Sequence, residues 1–254
     1  MMHRAVGNLR RTMYMGAGLG LLACNVQSLQ KYKDSNSSPL VTDGVEISTS
    51  EFPSVVRLDL GDALCTGTFI SSTTVITAAH CLESRNVVFF NRIPSSKLVK
   101  NSAYSRNSLS DDIGIAIFPQ GTAPDQTNLL GRSPKPGESA TIVGYGNSFY
   151  NTPFDEKGVG AGIRRKGLNT VHRLNGEIVS LKANPTAESR SICGSGDSGG
   201  PLLIEGKIAA VTSARTLDRS PPECLYVDLS GRRSQIFLQN AARQGAEIPG
   251  ISAP

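Results

Sequence analysis

Short apolar stretches bounded by turn residues dominate the chain. The runs Ser54–Leu60, Cys65–Ile70, Val75–Ala78, Ile113–Ile117, Leu202–Ile204, Lys207–Ser213 and Tyr226–Asp228 are strand-sized and rich in β-branched residues. Each is predicted as a β-strand. The second and third join through Ser71-Ser72-Thr73, and the fifth and sixth make a hairpin around Glu205-Gly206. Ser234–Arg243 has helical spacing instead, with a serine placed to cap its start and Gly245 to end it. Two polar stretches lack this patterning. Residues 25–40 are serine-rich and read as a tether, and residues 147–170 read as a solvated loop carrying the cluster Arg164-Arg165-Lys166. Ser133-Pro134-Lys135-Pro136-Gly137 is the expected join between two β units.

Candidate chemistry concentrates at Cys193-Gly194-Ser195-Gly196-Asp197-Ser198-Gly199-Gly200-Pro201, a serine in a glycine-rich bend before an apolar strand. A serine hydroxyl needs a neighbouring base to become a nucleophile, and small neighbours let a carbonyl approach backbone N–H groups. Gly196 and Ser198 could supply those N–H groups, although Gly, Ser and Asp also suit an ordinary turn. Of the three histidines, His3 lies in a segment expected to be removed and His172 in a polar-alternating stretch. His80 closes the apolar run 75–79 and is followed by Cys81, so it is the better base. Asp112 enters a core strand, where a carboxylate needs a partner such as an imidazole N–H. Asp111 beside it is expected to be the solvated one.

Thr77-Ala78-Ala79-His80-Cys81, then Asp112-Ile113-Gly114-Ile115-Ala116, then Gly196-Asp197-Ser198-Gly199-Gly200-Pro201 resemble, in order, the three signatures of the trypsin-like (chymotrypsin-fold) serine peptidases. The resemblance covers roughly residues 41 to 243. It implies an all-β fold of two six-stranded antiparallel β-barrels with a short C-terminal helix, the first barrel at 41–135 and the second, opened by the strand at Ala140–Gly146, with the helix at 136–254. It implies peptide-bond hydrolysis through Ser198, His80 and Asp112, with the Gly196 and Ser198 N–H groups as the oxyanion hole. Disulfides Cys65–Cys81 and Cys193–Cys224 are implied, the latter unusually close to the Tyr226 strand. Val41 looks like the residue freed by an activating cut, its amine burying itself against Asp197, although Asp197 could equally cap a turn. Leu40 on the cut side suits no trypsin-like activator. The specificity pocket falls to Ser191 or Ile192 at its floor and to Ser213, Ala214 and Arg215 along its wall. No acid lies at the floor, so a preference for Lys or Arg has no basis. Ala214 and Arg215 depart from the aromatic and glycine usual in the family: Arg215 pointing inward would pair with an acidic side chain, and pointing outward would narrow the mouth in favour of small residues.

Composition refines this picture. The 254 residues are 39% hydrophobic and 19% charged, ordinary for a folded chain. The pI of about 9.0 does not indicate nucleic acid. Of the 26 basic residues, Arg4, Arg10 and Arg11 fall in residues 1–24, which hold no acid; the remaining 23 face 21 acidic residues without a basic run or aromatic ladder. The apolar run from Met13 to Ala23 is too short to span a bilayer and reads as a secretory signal. Leu21-Leu22-Ala23-Cys24 resembles the lipobox of bacterial lipoproteins, and Cys24 is the odd cysteine of five once two disulfides form. Expected are residues 1–24 as signal peptide and a lipidated Cys24 holding the domain on a bacterial membrane. Protein or peptide substrates, a separate activating protease and a monomer are expected too, with no cofactor and no metal, because the interval from His80 to Asp112 holds no acidic cluster suited to calcium. The competing reading is a catalytically silent peptidase-fold lipoprotein acting as a binding or adhesion module. An envelope chaperone-protease would want an appended peptide-binding domain, for which there is no room after Pro254.

Overall fold

The computed structural model describes residues 44–148, 159–183, 191–216 and 221–251. Cys24 and Val41, with the whole of the signal and tether, lie outside the described residues. Among the described residues, fourteen strands build two sheets. The first contains β2 (Val55–Asp59), β3 (Leu64–Phe69), β4 (Thr74–Thr77), β5 (Phe89–Phe90), β6 (Ile93–Pro94), β7 (Lys97–Lys100) and β8 (Gly114–Ile117). Their order is β6-β5-β2-β3-β4-β8-β7, a curled, barrel-like sheet. The second contains β9 (Ser139–Gly144), β10 (Arg165–Asn175), β11 (Ile178–Lys182), β12 (Pro201–Ile204), β13 (Lys207–Arg215) and β14 (Glu223–Asp228). Because β10 pairs with both β11 and β9, these six antiparallel strands close on themselves. Closure removes the exposed edges that an open sheet would leave.

The burial patterns follow from position. β2 alternates buried and exposed residues, whereas Thr74-Val75-Ile76-Thr77 of β4, flanked by β3 and β8, is buried throughout. Phe69, Phe90 and Phe118 fill the first sheet with ring centroids 5.6–6.5 Å apart. Leu181, Ile192, Leu202 and Tyr226 fill the closed barrel. A third cluster, from Ile76 and Ile113 through Val211 to Phe237 and Leu238, joins the two halves. Each such large apolar side chain contributes about 1.5–3 kcal/mol on burial.

Four expectations change. The first residues do not belong to the first sheet: β1 (Val45–Glu46) lies on β10, with Glu46 opposite Arg165. The chain passes between halves at Thr127–Asn128, where Thr127 N–H donates to Phe69 O and Ile208 N–H donates to Asn128 O. The Pro/Gly stretch is instead the turn entering β9, with Gly137 at φ +89° and Glu138 N–H bonded to Lys135 O. Arg164-Arg165-Lys166 is not a solvated loop. Arg165 and Lys166 open β10, where Arg165 is 2% exposed and pairs with Glu46 at 3.0 Å, and Lys166 bonds Glu51. Arg164 donates to the carbonyls of Thr49, Glu51 and Phe52. The cluster clamps residues 46–52 to the closed barrel. Helix α2 (Arg232–Arg243) starts two residues before Ser234, with Gly231 at its N-cap. Ser234 is fully buried within the first turn, so it cannot cap; the Glu177 carboxylate accepts the Arg233 N–H at 3.1 Å instead. Gly245, at φ +102°, ends the helix as expected.

Candidate active site

His80 stands on a one-turn helix, α1 (Ala79–Leu82), that begins where β4 runs out. Gly114 lets β8 approach this turn: a Cβ there would lie 2.8 Å from Leu82 and 3.2 Å from Ala78 O. That approach brings Asp112, just ahead of β8, beneath the imidazole. The carboxylate is 1% exposed and takes three donors. Oδ1 accepts the His80 backbone N–H at 2.9 Å, and Oδ2 lies 2.8 Å from His80 Nδ1 and accepts Ser213 Oγ–H at 2.6 Å. Two of the three donors hold one residue, so the ring is fixed in both position and rotation. With Nδ1–H donating to Asp112, the available lone pair of the ring is on Nε2.

Asp111 is not the solvated neighbour expected. It is 3% exposed, accepts Ser108 Oγ–H at 2.6 Å and pairs with Arg233 Nη1 of α2 at 2.7 Å. Its burial arises because the 3-10 turn Leu109–Asp111 lies under the helix start. A carboxylate held there cannot also serve His80.

The bend carrying Ser198 is pinned from both halves. Thr66 of β3 donates its N–H to Ser198 O and its hydroxyl to Gly196 O, both at 2.9 Å. Gly199 N–H donates to Thr212 O at 2.8 Å. Gly199 must be glycine twice over: φ is +81°, and a Cβ would fall 2.0 Å from Thr77 Oγ1. Ser198 O also lies 3.6 Å from Cys81 Sγ, so the nucleophile candidate rests against the residue that follows His80. The disulfide Cys65–Cys81 fastens that residue to β3. Gly196 adopts φ +98°, and among the described residues neither its N–H nor that of Ser198 has an acceptor. Such donors at a bend are suited to a developing oxyanion.

Asp197 points inward and is 3% exposed. Its carboxylate accepts the N–H groups of Gly146 and Gly194, each at 2.7 Å. Burial pushes its pKa up to about 6, opposed by those two hydrogen bonds and by the charge of Arg165. The groups Cys65, His80 and Cys81 lie close enough together to suggest a metal, but both sulfurs are joined in the disulfide and offer no thiolate.

The remaining expected residues flank Ser198. Ser191 and Ile192 are each 2% exposed, Ser191 being stitched to β10 through Leu168 O and Asn169 Nδ2. Ser213, Ala214 and Arg215 end β13, and Cys193 is bonded to Cys224. Sequence reasoning assigned Ser213 to the pocket wall and missed its bond to Asp112. The signal was Asp112 itself, since one imidazole cannot satisfy a buried carboxylate.

Residues 41–228 match the Trypsin family. An uncharacterized peptidase of Corynebacterium glutamicum (strain R) is 30% identical over 179 residues, covering 66% of this chain and 60% of that protein. The chain thus spans about 60% of the length of that relative. Trypsin delta of Drosophila melanogaster is 26% identical over 196 residues, covering 68% of this chain and 77% of the fly protein. Mouse neuropsin, a serine protease, superimposes with a TM-score of 0.63 at 19% identity, over 78% of this chain and 98% of that structure, a likeness of fold. Two barrel-like sheets with the paired His80 and Asp112 next to a disulfide that touches a Gly-Asp-Ser-Gly bend define a chymotrypsin-fold protein. The chain belongs to the trypsin family of serine peptidases.

Proposed function

We propose that this protein is a serine endopeptidase working through Ser198, His80 and Asp112. The observation that carries this reading is the Asp112 carboxylate, which holds His80 by both its backbone and its ring while the Ser198 bend rests on the adjacent disulfide. Ser198 Oγ attacks the substrate carbonyl carbon as His80 Nε2 takes its proton. The oxyanion forms two hydrogen bonds, to the N–H groups of Gly196 and Ser198, each worth about 3 kcal/mol. Collapse breaks the C–N bond, His80 returns the proton to the leaving amine, and an acyl group stays on Ser198. Water repeats the sequence with His80 as base and releases the acid. Asp112 orients His80 and stabilises its charged form without being protonated.

The protein is exported, with Cys24 lipidated on a bacterial envelope membrane and residues 25–40 as tether. A cut before Val41 by another protease frees an amine to meet Asp197 and releases the domain from its anchor. The Asp197 carboxylate, whose pKa burial pushes up, would be stabilised in its charged form by such a partner. The enzyme acts as a monomer on protein or peptide substrates.

The test is labelling with a fluorophosphonate probe, read by intact mass on protein of determined N-terminus. The expected result is one adduct on the wild type and none on Ser198→Ala. A wild type that begins at Val41 and takes no label would remove the enzymatic reading in favour of a binding module.

A further inference from the structure

Among the described residues, two segments flank the Ser198 bend and bound the space open to the side chain of the residue that Ser198 would attack. One is Ser191–Cys193, which leads into the bend. The other is Ser213–Arg215, which leaves β13 beside it, since Ser213 bonds Asp112 and Thr212 bonds Gly199. The depth of that slot follows from what spans it.

The disulfide Cys193–Cys224 ties the first segment to β14, and β14 is the immediate neighbour of β13. Cys224 lies in register opposite Arg215, so both side chains leave the same face of the ladder. Cys193 Sγ is 3.8 Å from Ala214 O, van der Waals contact between the two walls. The disulfide therefore lies against the second wall, on the face that Arg215 also leaves. Cys224 is wholly buried, Cys193 is 3% exposed, and Ile192 backs them as part of the packed barrel core. The first wall cannot retreat: a Cβ on Gly167 of β10 would come within 2.3 Å of Ser191 Cβ, so Ser191 already rests on that strand. The stem of the half-buried Arg215 covers the same face, and Arg215 already has a partner within the chain.

We infer that the Cys193–Cys224 disulfide and the Arg215 stem form a shallow floor for the residue whose carbonyl Ser198 attacks, so that the enzyme cleaves after glycine, alanine or serine. This rests on the endopeptidase reading above. On such a floor a large side chain would meet the sulfurs and the Arg215 stem, and a charged one would lose water.

The experiment uses fluorogenic peptides that differ only in the residue before the scissile bond: Gly, Ala, Ser, Leu, Phe, Lys or Glu. Active sites are counted by fluorophosphonate labelling, which does not depend on that residue. The expected kcat/KM for Ala exceeds those for Phe, Leu and Lys by at least about 100-fold, close to 3 kcal/mol. Replacing both cysteines, as Cys193→Ala with Cys224→Ala, should narrow the Ala-to-Phe ratio at least about tenfold. Arg215→Gly, which leaves the disulfide intact, should narrow it in the same direction. If labelled wild type cleaves after Phe, Leu or Lys as fast as after Ala, the shallow floor is wrong while the endopeptidase stands. Preference for Glu would also overturn it, by making Arg215 a ligand. A wild type that begins at Val41 and takes no label removes both readings. The wild-type profile decides the matter even if the cysteine variant does not fold.

Discussion

Asp112 illustrates how one buried group orders a site. A carboxylate at 1% exposure must be matched donor for donor, and two of its three donors come from His80. Asp112→Asn should keep the fold but turn an N–H toward Nδ1, placing the ring proton on Nε2. Fluorophosphonate labelling is expected to slow by about 10⁴-fold. Ser213→Ala deletes the third donor and should lower kcat about tenfold with KM little changed, the loss of one charge-assisted hydrogen bond. Asp197 has the opposite character. Its folded pKa of about 6 lies above the ordinary 3.8, so the folded state binds the proton more tightly than the unfolded one. Stability is greatest below the ordinary value and falls as pH rises toward 6, by about 3 kcal/mol in full. Protein retaining residues before Val41 should therefore unfold at higher temperature at about pH 5 than at about pH 7. Asp197→Asn should abolish that difference, and a freed Val41 amine should reduce it.

Among the elements, α2 shows a device that local pattern conceals. Its first N–H groups would ordinarily be met by a side chain at the N-cap, but Gly231 has none to offer. Glu177, from the turn between β10 and β11, supplies the acceptor at the positive end of the helix. Glu177→Ala should destabilise the protein by about 1 kcal/mol in urea unfolding, whereas Ser234, buried inside the turn, has no capping bond to lose. Ser234 was read as the cap because serine before an amphipathic run is the usual signal, and that signal cannot report a carboxylate 57 residues upstream. The hairpin at Glu205-Gly206 was fully legible by contrast. Both residues adopt positive φ, 52° and 73°, as a two-residue turn between adjacent strands requires.

At the scale of the molecule, the candidate site lies where the halves meet. His80 and Asp112 come from the first sheet, Ser198 and Ser213 from the second, and Thr66 of β3 holds the Ser198 bend across the boundary. Arg233 of α2 reinforces the same boundary by neutralising Asp111. Arg233→Ala leaves that buried carboxylate with Ser108 as its remaining side-chain partner and should lower stability by about 1–3 kcal/mol, measured by urea unfolding. Much of this could be read along the chain. Strand-length apolar runs set the all-β class, because burying one face of an extended segment needs only local alternation. The order and spacing of His80, Asp112 and Ser198 carried the family, because a bend, a strand end and a one-turn helix are local structures. What remained hidden were the roles set by contacts between distant segments. Asp111 and Arg165 look solvated in sequence, since charge at a loop is usually exposed, yet each is buried against a partner more than 100 residues away. The contact of Cys193 Sγ with the Ala214 carbonyl depends likewise on the register of β13 against β14, which no single segment encodes. Local hydrophobic pattern thus determined which elements form, and tertiary packing alone decided which polar groups lose water and must find one another.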